Sequence, residues 1–232
     1  MPTVLITGAN RGIGLEFTRQ YAADGWQVFA GARNLDNAND LKQLAKDAQQ
    51  RVQLLTIDVT KAETIADAVA QVGNVGIDIL INCAGVYGSS RQQLGNLDYR
   101  AWTQVLDTNT LGPVRVTEAF LENVARSDRK WIITITSGMG SISDNSSGGY
   151  IAYRTSKAAV NMAMQTLSID LGSRGICCLL MNPGWVKTRM GGPNARITPT
   201  ESVSGMRKVI ESVTPSQSGK FFSHDGREYA WS

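Results

Sequence analysis

The chain has 232 residues, of which 42% are hydrophobic, and this suits one large domain or two small ones with a substantial core. Its formal charge of +3 is spread along the chain without a basic block, so the sequence predicts no nucleic-acid partner and no membrane surface. No apolar run is long enough to span a bilayer, and the N-terminus leads directly into a strand-like segment rather than a signal peptide. Cys83, Cys177 and Cys178 form neither a disulfide framework nor a metal-ligand spacing, and the single histidine, His224, lacks a second imidazole for a metal. We therefore expect a cytoplasmic protein without a metal site.

Strand-like apolar runs alternate with helical patterns from one end of the chain to the other. No internal repeat and no long linker divides this alternation. The sequence predicts a single α/β domain over residues 1–232, a Rossmann fold with a doubly wound, mostly parallel sheet and helices on both faces. After the turn that follows the first strand comes an amphipathic helix. The expected strands are residues 4–6, 28–32, 52–57, 77–81, 131–136, 176–181 and 220–222, and the expected later helices are 36–50, 62–72, 101–125, 152–171 and 201–213.

The turn after the first strand has the glycine spacing G-x-x-x-G-x-G. Such a turn lets backbone N–H groups and a helix N-terminus approach a pyrophosphate without a side chain in the way. The spacing departs from the G-x-G-x-x-G fingerprint of dinucleotide sites, and the alternative is an ordinary glycine-rich turn of an α/β protein. Its position directly after the first strand favours cofactor binding. The residues assigned to the cofactor here are Gly8, Asn10, Arg11, Gly12, Ile13 and Gly14.

Arg33 follows the second predicted strand, where an acidic residue would bind the ribose 2′-hydroxyl of NAD. A guanidinium instead makes charge-assisted bonds to phosphate, and Arg11 from the glycine turn is expected to join it. These two arginines therefore predict NADP(H), although both could instead be solvated loop residues.

Polar and small residues follow the next two predicted strands. Asp58-Val59 ends the third strand, where a carboxylate could accept a hydrogen bond from the adenine amino group. The segment Asn82-Cys83-Ala84-Gly85 ends the fourth, at the edge where open parallel sheets bind ligands. Asn82 by itself could equally cap a neighbouring turn. Asn109 lies inside the predicted helix 101–125, and an asparagine there indicates a local break or a bonded water.

Tyr153 and Lys157 are four residues apart at the start of a predicted helix, so their side chains share one face. A neighbouring cation stabilises a phenolate, and Lys157 is expected to lower the pKa of Tyr153 and make it a usable proton donor. A surface pair is the alternative for this spacing alone. Ser137 ends the fifth predicted strand. Tyr150 has Arg154 rather than lysine four residues later, so we assign the acid to Tyr153 and a pocket-lining position to Tyr150.

In this order the motifs resemble those of the short-chain dehydrogenase/reductase family over nearly the whole chain. The matching segments are the glycine turn, Asn82 to Gly85 with a cysteine in second place, Ser137 with Tyr153-x-x-x-Lys157, and a segment that closes over the nicotinamide. That closing segment comprises Pro183, Gly184, Val186 and Thr188. The C-terminal pattern, from Met190 to Trp231, is similar to the subgroup of Sniffer-like and C-factor-like carbonyl reductases.

The resemblance implies a mechanism and a partner class. Tyr153 would be the general acid/base, Lys157 would lower its pKa and bind the nicotinamide ribose, Ser137 would orient the carbonyl, and Asn109 would hold a relay water. The cofactor would be NADP(H) and the substrate a small neutral aldehyde, ketone or quinone or the corresponding alcohol. Residues 185–213 would form a short substrate-side segment, with Trp185 and Met190 lining the site beside Tyr150.

The same resemblance implies a homodimer or homotetramer formed through the two long helices. It also leaves open a second function. The chain could be a nucleotide-binding signalling or regulatory protein of C-factor type with little or no turnover, although the full catalytic set argues for an enzyme.

Overall fold

The fold is described from a computed structural model of the chain, which covers residues 1–230. Trp231, which contributes to the family resemblance, lies outside the described residues, as does the final residue of the predicted domain.

A seven-stranded sheet forms the centre of the molecule, and every pair of neighbouring strands in it is parallel. The residues on both faces of its central strands are buried and mostly apolar, as expected for parallel strands covered by helices on either side. This confirms the predicted doubly wound sheet. Its strands are β1 (Thr3–Thr7), β2 (Gln27–Ala32), β3 (Val52–Thr56), β4 (Ile79–Asn82), β7 (Trp131–Ile135), β8 (Cys177–Asn182) and β9 (Phe221–Ser223), and a separate two-stranded hairpin contains β5 (Gln92–Gln93) and β6 (Asn96–Leu97).

The strand order is β3-β2-β1-β4-β7-β8-β9, so the winding direction reverses between β1 and β4. At such a reversal the loops after the two strands diverge, and a crevice opens at their carboxyl ends. The glycine turn follows β1 and Asn82-Cys83-Ala84-Gly85 ends β4, so both predicted cofactor segments border this crevice.

Two layers of helices bury the faces of the sheet. One apolar core contains residues of the helices at 12–23, 39–47 and 199–212, and the other contains residues of the helices at 62–72, 112–119 and 121–125. No helix within residues 1–230 is both long and apolar enough to cross a membrane. The helices are α1 (Gly12–Ala23), α2 (Asn39–Asp47), α3 (Ala62–Val72), α4 (Tyr99–Leu106), α5 (Gly112–Ala119), α6 (Leu121–Ala125), α7 (Ile151–Asp170) and α8 (Pro199–Ser212).

The structure differs from the sequence prediction in three elements. The helix expected over 101–125 is divided into α4, a π-helical turn at Asp107–Leu111, α5 and α6, and the expected break at Asn109 lies inside the π turn. The helix expected over 36–50 is shorter, because Gln49 and Gln50 adopt left-handed conformations that cannot continue it. The hairpin of β5 and β6 was not predicted, since strands of two residues are too short for an alternating pattern.

Candidate active site

Three predicted catalytic side chains meet at the start of α7. Tyr153 and Lys157 lie one turn apart on the buried face of this helix, with the Lys157 Nζ 5.8 Å from the centroid of the Tyr153 ring. Ser137, two residues after β7, lies close enough to the Tyr153 phenol to act on its pKa. Ser137 also accepts a hydrogen bond from the Met139 N–H (3.2 Å), which fixes its position in a short 3₁₀ turn. Burial excludes the alternative of a solvated surface pair for Tyr153 and Lys157.

Burial controls the acid–base properties of this pair. Desolvation raises the pKa of Tyr153 to about 12, while the neighbouring Ser137 side chain acts in the opposite direction. Desolvation also lowers the pKa of Lys157 to about 8, and its Nζ donates a hydrogen bond to the Ile135 carbonyl (3.0 Å). The lowered Tyr153 pKa expected from the sequence is therefore wrong in direction. The spacing revealed the neighbouring cation but not that both groups are withdrawn from water.

Asn109 lies beside this pair with its side chain already bonded to the chain. Its Oδ1 accepts from the Val86 N–H (2.8 Å), and its Nδ2 donates to the Val86 carbonyl (2.8 Å) and to Ser156 Oγ (3.0 Å). Both amide donors are thus used, and the side chain anchors the segment after β4 to α7. A water held by Asn109 would need the remaining lone pair of Oδ1 or the main-chain carbonyl of the π turn.

The glycine turn is built so that backbone atoms come close together. Gly8 has φ +69°, and a Cβ there would lie 2.8 Å from the Ala84 Cα, while a Cβ on Gly14 would lie 2.3 Å from the Gly8 carbonyl oxygen. A Cβ on Gly12 would contact the Thr188 side chain, so the segment after β8 reaches back to this turn. Asn10 and Ile13 lie within the same turn and are half-buried.

The N-terminus of α1 is open to an anion. In the described part of the chain the Arg11 side chain makes no capping hydrogen bond, and the first turn contains no acidic residue. Its N–H groups and the positive end of the helix dipole therefore face the crevice without a competing carboxylate. Arg11 and Arg33 are both exposed, and the salt bridges of residues 1–230 involve other charged groups.

The ends of β3 and β4 complete the crevice. Asp58, followed by the buried Val59, accepts hydrogen bonds from the Thr60 N–H (3.1 Å) and hydroxyl (2.7 Å), so one carboxylate oxygen is used within its own turn. Asn82 is buried, and its Oδ1 has no hydrogen-bond partner among the described residues. A Cβ on Gly85 would lie 3.8 Å from the Lys157 Nζ, so this glycine leaves space directly in front of the lysine.

The segment after β8 forms the remaining wall. Pro183 is buried, Gly184 has φ +79°, and Val186 bridges to Ile197. Thr188 Oγ1 accepts from the Gly191 N–H (3.1 Å), which closes the loop. Trp185 and Met190, predicted to line the substrate site, are about half-exposed on this segment at 51% and 49%.

Tyr87 is a site residue that the sequence analysis missed. Its ring lies 4.7 Å from the Tyr153 ring and 5.4 Å from the Tyr150 ring, measured between centroids. Burial raises the pKa of Tyr87 to about 12, and the neighbouring Tyr150 acts in the same direction. Its place two residues after Gly85, beyond the carboxyl end of a central parallel strand, is the signal that could have identified it.

The fold and this site together define a nucleotide-binding oxidoreductase of the doubly wound α/β class. Residues 2–197 match the family model described as short chain dehydrogenase, and the chain belongs to that family.

Relatives of known name agree with this assignment. C-signal of Myxococcus xanthus is 44% identical over 155 residues, which are 67% of this chain and 93% of that protein. The crystal structure of an NADPH-bound carbonyl reductase from chicken fatty liver has a TM-score of 0.93 and 34% identity, and covers 100% of this chain and 99% of its own. The carbonyl reductase Sniffer of D. melanogaster has a TM-score of 0.91 and 32% identity, with both chains covered completely.

Proposed function

We propose that this protein is an NADP(H)-dependent oxidoreductase that transfers hydride between the nicotinamide and a small carbonyl or alcohol substrate. The main support is the buried pair Tyr153 and Lys157, with Ser137 next to the phenol, beside a crevice that fits a dinucleotide. The glycine turn, the open N-terminus of α1 and the unpaired Asn82 Oδ1 fit such a cofactor, because each offers space or a free polar group.

The preference for the 2′-phosphate is assigned to Arg33 and Arg11. Both are exposed, and Arg33 directly follows β2, where a carboxylate would select NAD. The NADPH found in the related chicken carbonyl reductase supports this assignment. The remaining contacts would come from the glycine turn and from Asp58, Val59, Asn82, Ala84, Gly85, Pro183, Gly184, Val186 and Thr188.

In the reductive direction Tyr153 gives its proton to the carbonyl oxygen. A phenol with a pKa of about 12 keeps its proton at neutral pH, and the alkoxide that forms on hydride transfer is a stronger base than a phenolate. Ser137 donates a hydrogen bond to the same oxygen and so stabilises the charge that develops there. A nicotinamide held in the crevice would supply the hydride, which no amino-acid side chain can provide.

Lys157 replaces the proton that Tyr153 loses and holds the nicotinamide ribose. Its pKa of about 8 lies close to neutral pH, so its Nζ can release and regain a proton during turnover. A water held at Asn109 would connect this Nζ with solvent.

The substrate would be a neutral aldehyde, ketone or quinone, or the alcohol formed from it. Tyr150, Trp185 and Met190 would line its pocket, because all three side chains are uncharged and about half-exposed. Residues 185–213, which include Trp185 and Met190, would form the substrate-side segment. A Rhodococcus relative, 34% identical over the whole of both chains, is named 1-hydroxy-2-glutathionyl-2-methyl-3-butene dehydrogenase, and that name supports an alcohol as one form of the substrate.

A regulatory function with little turnover is the second candidate. The 44% identity to C-signal favours it. Against it stands the complete catalytic group, which a protein that only binds nucleotide does not need.

The test is consumption of NADPH and, separately, of NADH by the purified protein with a panel of aldehydes, ketones and quinones. We expect NADPH to be preferred and Tyr153→Phe to lose about 10³-fold in kcat, since general acid catalysis contributes about 10² to 10⁴. Tyr99→Phe, at an exposed tyrosine of α4, is the matched control. Cofactor binding without turnover on the whole panel would favour the regulatory function, and a preference for NADH would refute the assignment of Arg33.

We also propose that two or four copies associate through α7 and the α4 to α6 segment. Their outer surfaces expose Leu111, Met162 and Ile169, three apolar side chains that a second copy would cover. Light scattering of the purified protein would report the mass, and a monomer would contradict this.

The three free thiols fit a cytoplasmic location, which cell fractionation would test.

A further inference from the structure

The first turn of α7, which carries Tyr153, lacks a local cap. Its N-cap residue Tyr150 has a left-handed backbone (φ +50°), and in the described residues its side chain makes no capping hydrogen bond. The first four N–H groups of any helix have no partner within the helix. One of them belongs to Tyr153.

Gln92 supplies the missing acceptor from a distant part of the chain. Its Oε1 accepts a hydrogen bond from the Tyr153 N–H at 3.0 Å, across 61 positions of sequence. Gln92 lies in β5 of the small hairpin and is only 3% exposed, an unusual burial for a glutamine.

The other end of the same amide holds the loop that carries Tyr87. Gln92 Nε2 donates to the Tyr87 carbonyl (2.9 Å) and to the Ser89 carbonyl (2.8 Å). Both amide donors and one acceptor are therefore satisfied by main-chain groups of two separate segments. The loop leaves little room to adjust, because a Cβ on Gly88 would lie 2.7 Å from Val105 Cγ2 and 3.4 Å from Gln92 Nε2.

We propose that Gln92 is a positioning residue for the acid. Its amide is hydrogen-bonded to the backbone of both Tyr153 and Tyr87. It therefore fixes the position of the Tyr153 phenol relative to Ser137 and the 4.7 Å distance between the centroids of the two tyrosine rings. Gln92 acts through Tyr153 and Tyr87 rather than on the substrate. The catalytic part of this inference rests on the proposed function, whereas the capping part does not.

The first experiment measures hydrogen exchange along α7 in the full-length protein. Gln92→Met keeps the length of the side chain and removes its hydrogen bonds, and Gln93→Met is the matched control at the exposed neighbouring position. We expect amide exchange in residues 150–157 to rise about ten-fold in Gln92→Met, in keeping with the loss of one helix cap. Exchange in residues 160–170 and throughout Gln93→Met should remain at the wild-type level.

The second experiment measures turnover and NADPH affinity in the same variants. Gln92→Met should lower kcat about ten-fold or more, because small displacements of an acid reduce rate steeply. Its Kd for NADPH should stay within two-fold of wild type, and the basic limb of its pH profile should shift, since the surroundings of the phenol change. Gln92→Glu keeps the acceptor for the Tyr153 N–H but loses both donors to the Tyr87 and Ser89 carbonyls, so it should slow exchange in residues 150–157 relative to Gln92→Met without restoring kcat.

Three results would overturn the inference. The first is unchanged exchange in residues 150–157 of Gln92→Met. The second is faster exchange spread over the whole protein with weaker NADPH binding, which would make Gln92 a general stability residue. The third is faster local exchange with kcat and pH profile unchanged. If the wild type turns over no substrate, the exchange data still decide whether Gln92 caps α7, so failure of the proposed function is distinguishable from failure of the cap.

Discussion

The two sides of the crevice are built in opposite ways. On the β1 and β2 side, the groups available to a ligand are backbone N–H groups at the start of α1 and two exposed arginines, Arg11 and Arg33. On the β7 side, the groups are the buried side chains Tyr153 and Lys157, and the Lys157 Nζ is hydrogen-bonded to the Ile135 carbonyl.

Under the proposed function, this difference corresponds to two tasks. Holding a charged dinucleotide needs donors that remain strong in contact with water, and backbone amides and guanidinium groups meet this need. Proton transfer needs groups whose pKa differs from that in water, and burial is what moves the pKa of Tyr153 and Lys157. Substitutions on the two sides should therefore change different quantities.

The largest expected effect is on the buried side. Lys157→Met should reduce kcat about 10³-fold, because proton exchange at Nζ and the ribose contact are both lost. NADPH affinity should fall less than ten-fold, since the dinucleotide is held mainly on the other side. Steady-state kinetics with NADPH titrations would measure both, and Lys46→Met, at an exposed lysine of α2, is the control. A kcat within ten-fold of wild type would mean that this side does not carry the chemistry.

Gly14→Ala should give the next largest effect, on binding. The new Cβ would lie 2.3 Å from the Gly8 carbonyl oxygen, so the turn must open. We expect NADPH affinity to fall about 100-fold, or about 2.7 kcal/mol, as measured by fluorescence titration. Gly172→Ala is the matched control, because a Cβ there would meet nothing within 4 Å among the described residues. Binding within three-fold of wild type would show that the turn is not the pyrophosphate site.

The burial of Lys157 should appear in the pH dependence of stability. The unfolded chain keeps this lysine protonated up to its ordinary pKa of 10.5, whereas the folded chain releases the proton near pH 8. The unfolded state therefore binds more protons between these pH values, and the contribution of Lys157 to stability rises with pH there.

Urea unfolding of wild type and Lys157→Met at pH 7 and pH 9.5 isolates this contribution, because groups common to both chains cancel. The free energy of unfolding of wild type relative to the variant should increase by about 2 kcal/mol over this interval. A constant difference would indicate that Lys157 is not withdrawn from water.

The smallest expected effect concerns cofactor choice. Arg33→Ser should lower the ratio of kcat/KM for NADPH to that for NADH about ten-fold, since a charge-assisted hydrogen bond contributes about 1.5 kcal/mol or more. Arg100→Ser, at an exposed arginine of α4, is the control for a general loss of positive charge. An unchanged ratio would mean that the 2′-phosphate of the cofactor does not bind beside the end of β2.

Local patterns predicted the sheet and the glycine turn well, because strands, turn and helix start there are contiguous in sequence. Asn109 marked the break in the long helix correctly, since an asparagine disfavours a helix interior wherever it occurs. Tyr87 and Gln92 were missed because their roles depend on contacts with α7, which begins more than 50 positions later. The direction of the Tyr153 pKa shift was missed for the same reason, since desolvation depends on what covers a side chain.

The sequence by itself therefore determined the fold class and the order of the motifs, and it predicted the acid, because these follow from hydrophobic periodicity and from fixed spacings along the chain. Only the tertiary structure decided the directions of the pKa shifts of Tyr153 and Lys157, the shape of the site around Tyr87 and the capping of α7 by Gln92. The physical reason is that burial and long-range hydrogen bonds depend on which distant segments of the chain come into contact. The spacing of residues along the sequence does not reveal those contacts.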